Sequence, residues 1–227
     1  IPFTDLSPIW NPEFFGNMMV VNGQTWPFLT VEKRRYRFRL LNGCQSRFLI
    51  LDFSEIINEG GEVWQIGTEG GFLPAPLNIS NFLAPNQNRI LLGLAERADI
   101  IVDFTNVPAG NYVLGNVGPD EPFGGGIPGD DFPVADPNTT GQVMQFRVVP
   151  AVAADPTTPP QFLQFPAITN LAGGGARHVA LLEVESSEGG PAAALLGTFN
   201  PATGVATEKL WMDAVTENPA VGTTEAW

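Results

Sequence analysis

The chain has 227 residues, 44% of them apolar, with a formal net charge of −13 at pH 7. That much apolar material excludes a disordered segment, and the acidic balance excludes non-specific binding to nucleic acid or to an anionic membrane. A single histidine, His178, and a single cysteine, Cys44, exclude an internal disulfide and leave too few donors for an ordinary zinc, copper or iron site.

In chain order, strand signals dominate. The apolar run Met18 to Val21 closes on Asn22-Gly23, a favoured tight-hairpin dipeptide. Trp26 to Val31 returns from it, Pro27 suiting a strand start or an edge. Arg35 to Leu41 alternates, with Tyr36, Phe38 and Leu40 on one face and Arg35, Arg37 and Arg39 on the other, which reads as the wet face of a half-buried strand. Asn42-Gly43 is expected to turn through left-handed backbone. Strands are then expected over Arg47 to Phe53, Val63 to Thr68, Arg89 to Leu94, Ala98 to Phe104, Asn111 to Asn116 and Gln142 to Val149. Gly70 and Gly71 allow a sharp reversal after Thr68.

Between Gly118 and Thr140 runs a long loop rich in Gly, Pro and Asp, a type of connection that tends to be functional or mobile. From Pro150 to about Gly175, five prolines imply an extended connector. Strands resume at His178 to Glu185, Ala193 to Thr198, Lys209 to Met212 and Thr223 to Trp227. No amphipathic helix exceeds a turn or two, and no apolar run approaches the roughly 18 residues of a membrane helix. Short strands at this spacing predict an all-β chain, a Greek-key β-barrel or sandwich. The organisation expected is a domain over 1–150, a connector over 151–175, and an incomplete second unit over 176–227. The opening Ile1-Pro2-Phe3, with no Met and no signal-peptide pattern, adds the expectation of an excised piece of a longer protein.

Several segments together resemble the multicopper oxidases, in the bacterial laccase, spore-coat oxidase and bilirubin oxidase branch. They are Phe14-Phe15-Gly16-Asn17, Val20-Val21-Asn22-Gly23, Tyr36 to Gly43 with Ser46-Arg47, Gln65 to Gly71, Leu94 to Phe104, and Met144 to Val148. Near the end, Trp211-Met212-Asp213, Val215 to Pro219 and Gly222 to Trp227 resemble the start of such an enzyme's third domain. The resemblance implies cupredoxin-like folds and a parent enzyme that oxidises phenolic substrates and reduces dioxygen to water with copper. It also implies that the ligands lie on His-x-His and His-Cys-His segments of the first and third domains. None of those motifs is present, so the expectation is a copper-free middle domain whose partners are the remaining domains of the parent. By itself it is expected to be inactive, and self-association through exposed strand edges is expected. An extracytoplasmic or spore-surface location is compatible with the family.

The same resemblance implies one functional contribution, a wall of the substrate pocket. The matching segments are Pro12 to Gly16 and the loop from near Asn116, so the candidate residues are Pro12, Phe15, Pro119 and Phe123, with Phe15 and Phe123 offering apolar surface to a small aromatic substrate. Packing of those rings onto the barrel is the alternative. Some relatives tie the two segments by a disulfide, which a chain with one cysteine lacks. Arg97 and Asp99 read either as anchors of the preceding loop or as a solvated surface pair. Gly124 to Gly129 satisfies G-x-G-x-x-G but precedes no helix, and Asp130, Asp131 and Asp136 lack the calcium-loop pattern. The competing reading of the chain is a non-catalytic β-sandwich adhesion or ligand-binding module. The parent gene separates the two: His-x-His motifs are expected within a few tens of residues after Trp227, and their absence would remove the oxidase reading.

Overall fold

The computed structural model describes residues 13–81, 88–171, 173–187 and 191–227. They form two compact units, Glu13–Ala167 and a second beginning at Ile168. In the first unit the strands are β1 (Val20–Val21), β2 (Gln24–Thr25), β3 (Phe28–Glu32), β4 (Arg35–Leu41), β5 (Leu49–Asp52), β6 (Glu62–Thr68), β7 (Gly71–Asn78), β8 (Arg89–Leu92), β9 (Arg97–Asp103), β10 (Gly110–Asn116) and β11 (Gln142–Val149), with a single helical turn, α1 (Ser54–Ile57). The β1–β2 hairpin turns through Asn22 at φ 50° and Gly23 at φ 82°, as that dipeptide favours.

Two sheets face each other, β3-β11-β10-β5-β8 and β4-β9-β6-β7. Every pairing is antiparallel except β11 with β3. The expected all-β fold is present. Period-two alternation builds its core: Ala98, Ile100 and Val102 of β9 are buried, as are Leu49 and Leu51 of β5 and Phe146 and Val148 of β11, while Tyr36, Phe38 and Leu40 of β4 pack against them. Phe38 reaches Phe146 across the sheets with centroids 5.5 Å apart, and Phe104 meets Phe146 at 5.3 Å. Burying each large side chain of this kind contributes about 1.5–3 kcal/mol.

Several sequence expectations need correction. Trp26 to Val31 does not return from the Asn22-Gly23 hairpin: β2 does that, and β3 instead pairs in parallel with β11. The strand β7 was not anticipated, because Pro74 and Pro76 argue against a strand; it lies at the edge of its sheet, where a missing N–H costs no ladder bond. Asn42-Gly43 does not turn through left-handed backbone, since neither residue has positive φ. Asn42 is instead buried, its amide donating to the carbonyls of Arg47 (2.9 Å) and Leu92 (3.0 Å) and accepting from the Cys44 N–H. Lys209 to Met212 is not a strand, for a reason given below. Arg35, expected on a wet face, is largely covered by the connector.

That covering is specific. The Asp155 carboxylate accepts from the Arg35 backbone N–H at 2.8 Å and pairs with its guanidinium at 3.2 Å. Arg35 also donates from Nε to Thr157 Oγ1 (3.0 Å) and from Nη2 to the Thr157 carbonyl (2.9 Å). Further along, Phe165 stacks on Phe72 of β7, centroids 4.6 Å apart and planes 3° from parallel. The connector is thereby tied to the outer face of the four-stranded sheet.

The second unit contains β12 (Gly175–Ala176), β13 (Val179–Glu185), β14 (Pro191–Asn200), β15 (Val205–Glu208) and β16 (Glu225–Ala226). The strands β13, β14 and β15 form an antiparallel sheet, and β12 pairs in parallel with β16, so only two residues of the expected Thr223 to Trp227 strand are paired. The hairpin after Asn200 fixes β15 over Val205–Glu208 by pairing Asn200 with Val205, with Gly204 at φ 71°. Beyond β15 the Lys209 N–H still donates to the Leu196 carbonyl, but the chain then turns. The Leu210 N–H donates to the Asp213 carboxylate at 2.9 Å and the Asp213 N–H to the Leu210 carbonyl at 3.0 Å, so Lys209 to Met212 is not a strand. Arg177 clamps Glu225 through Nε and Nη2 at 2.8 and 2.9 Å. None of the buried apolar residues described belongs to this unit, and Trp211 is 98% exposed.

The Asp155 anchor carries a pH dependence. Burial pushes its carboxyl upward, but hydrogen bonds from Thr157 and the Arg35 N–H, with the Arg35 charge, more than offset this and leave it below its ordinary 3.8. A carboxyl depressed by folding stabilises fully above its unfolded value and loses that contribution as pH falls through the folded one. Amide exchange of residues 155–165 should therefore be slow at pH 5–7 and should accelerate, relative to β9, as pH falls below about 4. Equal protection of the connector at pH 6 and pH 3 would contradict the anchor.

Candidate functional site

The most organised polar cluster of the first unit lies where the β10–β11 loop meets the entrance to β5. Arg47 stands two residues before β5, its side chain only 5% exposed. A guanidinium so placed requires an anion, because an unpaired buried charge is strongly disfavoured. Asp120 of the loop supplies it, accepting from Nη2 at 2.8 Å. The other Asp120 oxygen accepts from Thr140 Oγ1 at 2.7 Å. Burial raises the Asp120 carboxyl, but the Thr140 and Arg47 hydrogen bonds and the Arg47 charge outweigh it, holding the group below its usual range. The Arg47 guanidinium also lies over the Phe15 ring, 5.6 Å from its centroid. Its Nε is buried with no hydrogen-bond partner among the described residues.

The loop is held to the sandwich at both ends. Asn116, buried, accepts from the N–H groups of Ile50 and Gly118 and donates to the Thr140 carbonyl. The Ala135 N–H donates to the Gly118 carbonyl at 3.0 Å. Phe123 packs between Phe48 (5.3 Å) and Phe132 (5.5 Å, edge-on). On the other side, the Phe14 N–H donates to Ser46 Oγ at 3.0 Å.

Of the sequence-derived wall residues, Pro12 lies outside the described residues. Phe15 and Phe123 are half-buried, and Pro119 is fully buried. The structure joins the Phe15 segment to the loop through Arg47 and Asp120, neither of which sequence reasoning assigned a role. The available signal was Arg47 itself, a charge opening the apolar run Phe48-Leu49-Ile50-Leu51. The Arg97–Asp99 alternatives also resolve. Arg97 donates to the Ala95 carbonyl at 2.8 Å and so anchors its own loop, where Ala95 adopts φ 61°. Asp99 instead receives Arg37 across the sheet in a two-point contact, Nε to Oδ1 at 2.8 Å.

The donor set does not fit copper. His178 is exposed just before β13, beside Phe199. Cys44 is a half-buried thiol of the first unit, pushed up by burial and drawn back in part by Arg47. Among the described residues no three His, Cys, Asp or Glu side chains cluster as metal ligands. Asp131 accepts from the Ile127 N–H, Asp136 from that of Asn138, and Gly124 to Gly129 adjoins no helix. A separate concavity of about 340 Å³ lies on the outer face of the four-stranded sheet, between Ile66, Ile101 and Phe72 and the connector residues Leu163 and Phe165. No helix among the described residues is long and apolar enough to cross a membrane.

No established family profile matches the chain. It is 35% identical over 219 residues to a laccase of Bacillus subtilis, covering 95% of this chain and 36% of that protein. It is 30% identical over 224 residues to multicopper oxidase LPR1 homolog 1 of Oryza sativa, covering 98% and 34%. Among solved structures, the McoA multicopper oxidase of the hyperthermophile Aquifex aeolicus superposes with a TM-score of 0.52 at 28% identity, over 78% of this chain and 35% of that one. The chain thus spans about a third of the length of the relatives it matches. With matches across nearly its whole length and a β-sandwich shared with solved members, the chain belongs to the laccase-like multicopper oxidases.

Proposed function

We propose that this stretch is the copper-free middle domain of a longer laccase-like oxidase, with the connector and the opening strands of the domain that follows. Residues 1–150 form the middle domain in this reading, 151–175 the connector and 176–227 the start of the next cupredoxin-like unit. Its work is to hold the copper-bearing parts of the parent in register. The parent would oxidise small phenolic substrates and reduce dioxygen to water, copper supplying the electron transfer. The observation that carries the reading is the 35% identity to a laccase over 219 residues. The donor set supports the copper-free assignment, because one imidazole and one thiol are too few for a copper ligand group. Exposed apolar side chains of the second unit, such as Trp211 and Met212, call for cover by the remainder of the parent; uncovered, this unit and the strand edges would self-associate.

Within that reading, Phe15 and Phe123 present half-buried ring surface toward substrate, while Pro119 seats the loop. The experiment uses the full-length copper-loaded protein and measures dioxygen uptake with a series of phenols. Uptake with a phenolic donor is expected, and Phe15→Ala should raise KM for bulky phenols several-fold with kcat little changed. No uptake would overturn the oxidase assignment, and an unchanged KM across the series would remove Phe15 from the wall.

A further inference from the structure

We infer that Arg47 is a positioning residue: a buried cationic clasp that locks the Phe15 segment and the β10–β11 loop to each other and so sets how large a substrate the wall admits. The last step rests on the reading of those segments as a pocket wall; the clasp itself rests on geometry alone. Three contacts converge on a pair of neighbouring residues. Ser46 Oγ receives the Phe14 N–H at 3.0 Å, the Arg47 guanidinium covers Phe15, and Arg47 Nη2 donates to Asp120 at 2.8 Å. Asp120 passes the tie onward, accepting from Thr140 Oγ1 at the far end of the loop and from the Asp136 N–H.

The chemistry makes this joint stiff. The guanidinium is used twice: its charge lies over the Phe15 ring, 5.6 Å from the centroid, while Nη2 meets the Asp120 carboxylate. A guanidinium spreads its charge over a planar group wide enough to meet both partners, whereas an ammonium concentrates it at one compact, strongly hydrated point. Because Arg47 is 4% exposed, its charge depends on Asp120, and withdrawal of the loop would strand it in a poorly solvated place. The loop and the Phe15 segment therefore cannot move independently. With one cysteine in the chain, no disulfide can do this work.

The test compares wild type, Arg47→Met and Arg47→Lys in the 227-residue chain, reading amide hydrogen exchange at Phe14, at Ala135 and along β9. Arg47→Met should raise exchange about tenfold or more at both Phe14 and Ala135 while β9 stays protected. Arg47→Lys, which keeps charge for Asp120 but loses the broad guanidinium over Phe15, should restore protection at Ala135 and leave Phe14 fast. If Arg47→Met does not fold, Asp120→Asn makes the same comparison with the guanidinium retained, and should loosen Ala135 and Phe14 together. In Arg47→Met or Asp120→Asn, exchange that rises at one of the two sites only, or at neither, overturns the clasp. A rise shared with β9 also overturns it, because Arg47 would then serve general stability. In the full-length copper-loaded protein, Arg47→Lys should narrow the KM difference between bulky and small phenols with kcat unchanged. An unaltered KM pattern beside a confirmed exchange result would leave the clasp and overturn its role in substrate size. No oxidation by wild type would instead remove the oxidase reading, with the clasp intact.

Discussion

The first unit depends on the contact between two sheets across a layer of apolar side chains, with Phe146 at its centre. Phe146 belongs to β11, yet its ring meets Phe38 of β4 and Phe104 just after β9. Those contacts exist only if both sheets present the correct face, and a one-residue slip in any of the three strands would turn the aromatic ring outward. Register, loop placement and the positions of the outer-face charges all follow. Arg37, opposite Ile101, meets Asp99 because β4 and β9 pair Arg39 with Asp99 and Phe38 with Ile100, which sets the outward arginines of β4 beside the outward Asp99 and Asp103 of β9.

Polar side chains then do locally what the core does globally. Asn42 and Asn116 are both buried and both satisfy backbone groups at places where a strand gives way to a loop. A hydrogen bond of this kind contributes about 1 kcal/mol net, and leaving the buried backbone group unpaired costs more. Arg35, Arg47 and Arg177 each fasten a segment remote in sequence through carboxylates, Asp155, Asp120 and Glu225. In a chain with 11 Lys and Arg against 24 Asp and Glu, these three cations sit at joints.

Much of this was legible in the sequence, for a physical reason. Strands such as Arg35–Leu41 and Arg97–Asp103 are buried on one face, so their alternation is written directly in residue type. The edge strand Gly71–Asn78 was illegible because its prolines break the pattern without breaking the strand. Its place at the sheet edge is a property of topology that no local window contains. Asn42 misled for a related reason: Asn-Gly is a turn signal, but the amide was used for long-range hydrogen bonds. The Phe15 and Phe123 segments could be picked out by resemblance. The Arg47 joint between them could not, since its meaning lies in a partner 73 positions away. In the second unit, strands with unburied side chains carry little tertiary information, and there the expected boundaries shifted most.

As proposed, the chain contributes framework and no copper ligands to a longer multicopper oxidase. Metal analysis of the purified 227-residue chain, after exposure to copper and dialysis against a weak chelator, tests this most directly. Far less than one copper per chain is expected. One or more copper ions per chain retained through dialysis would contradict it.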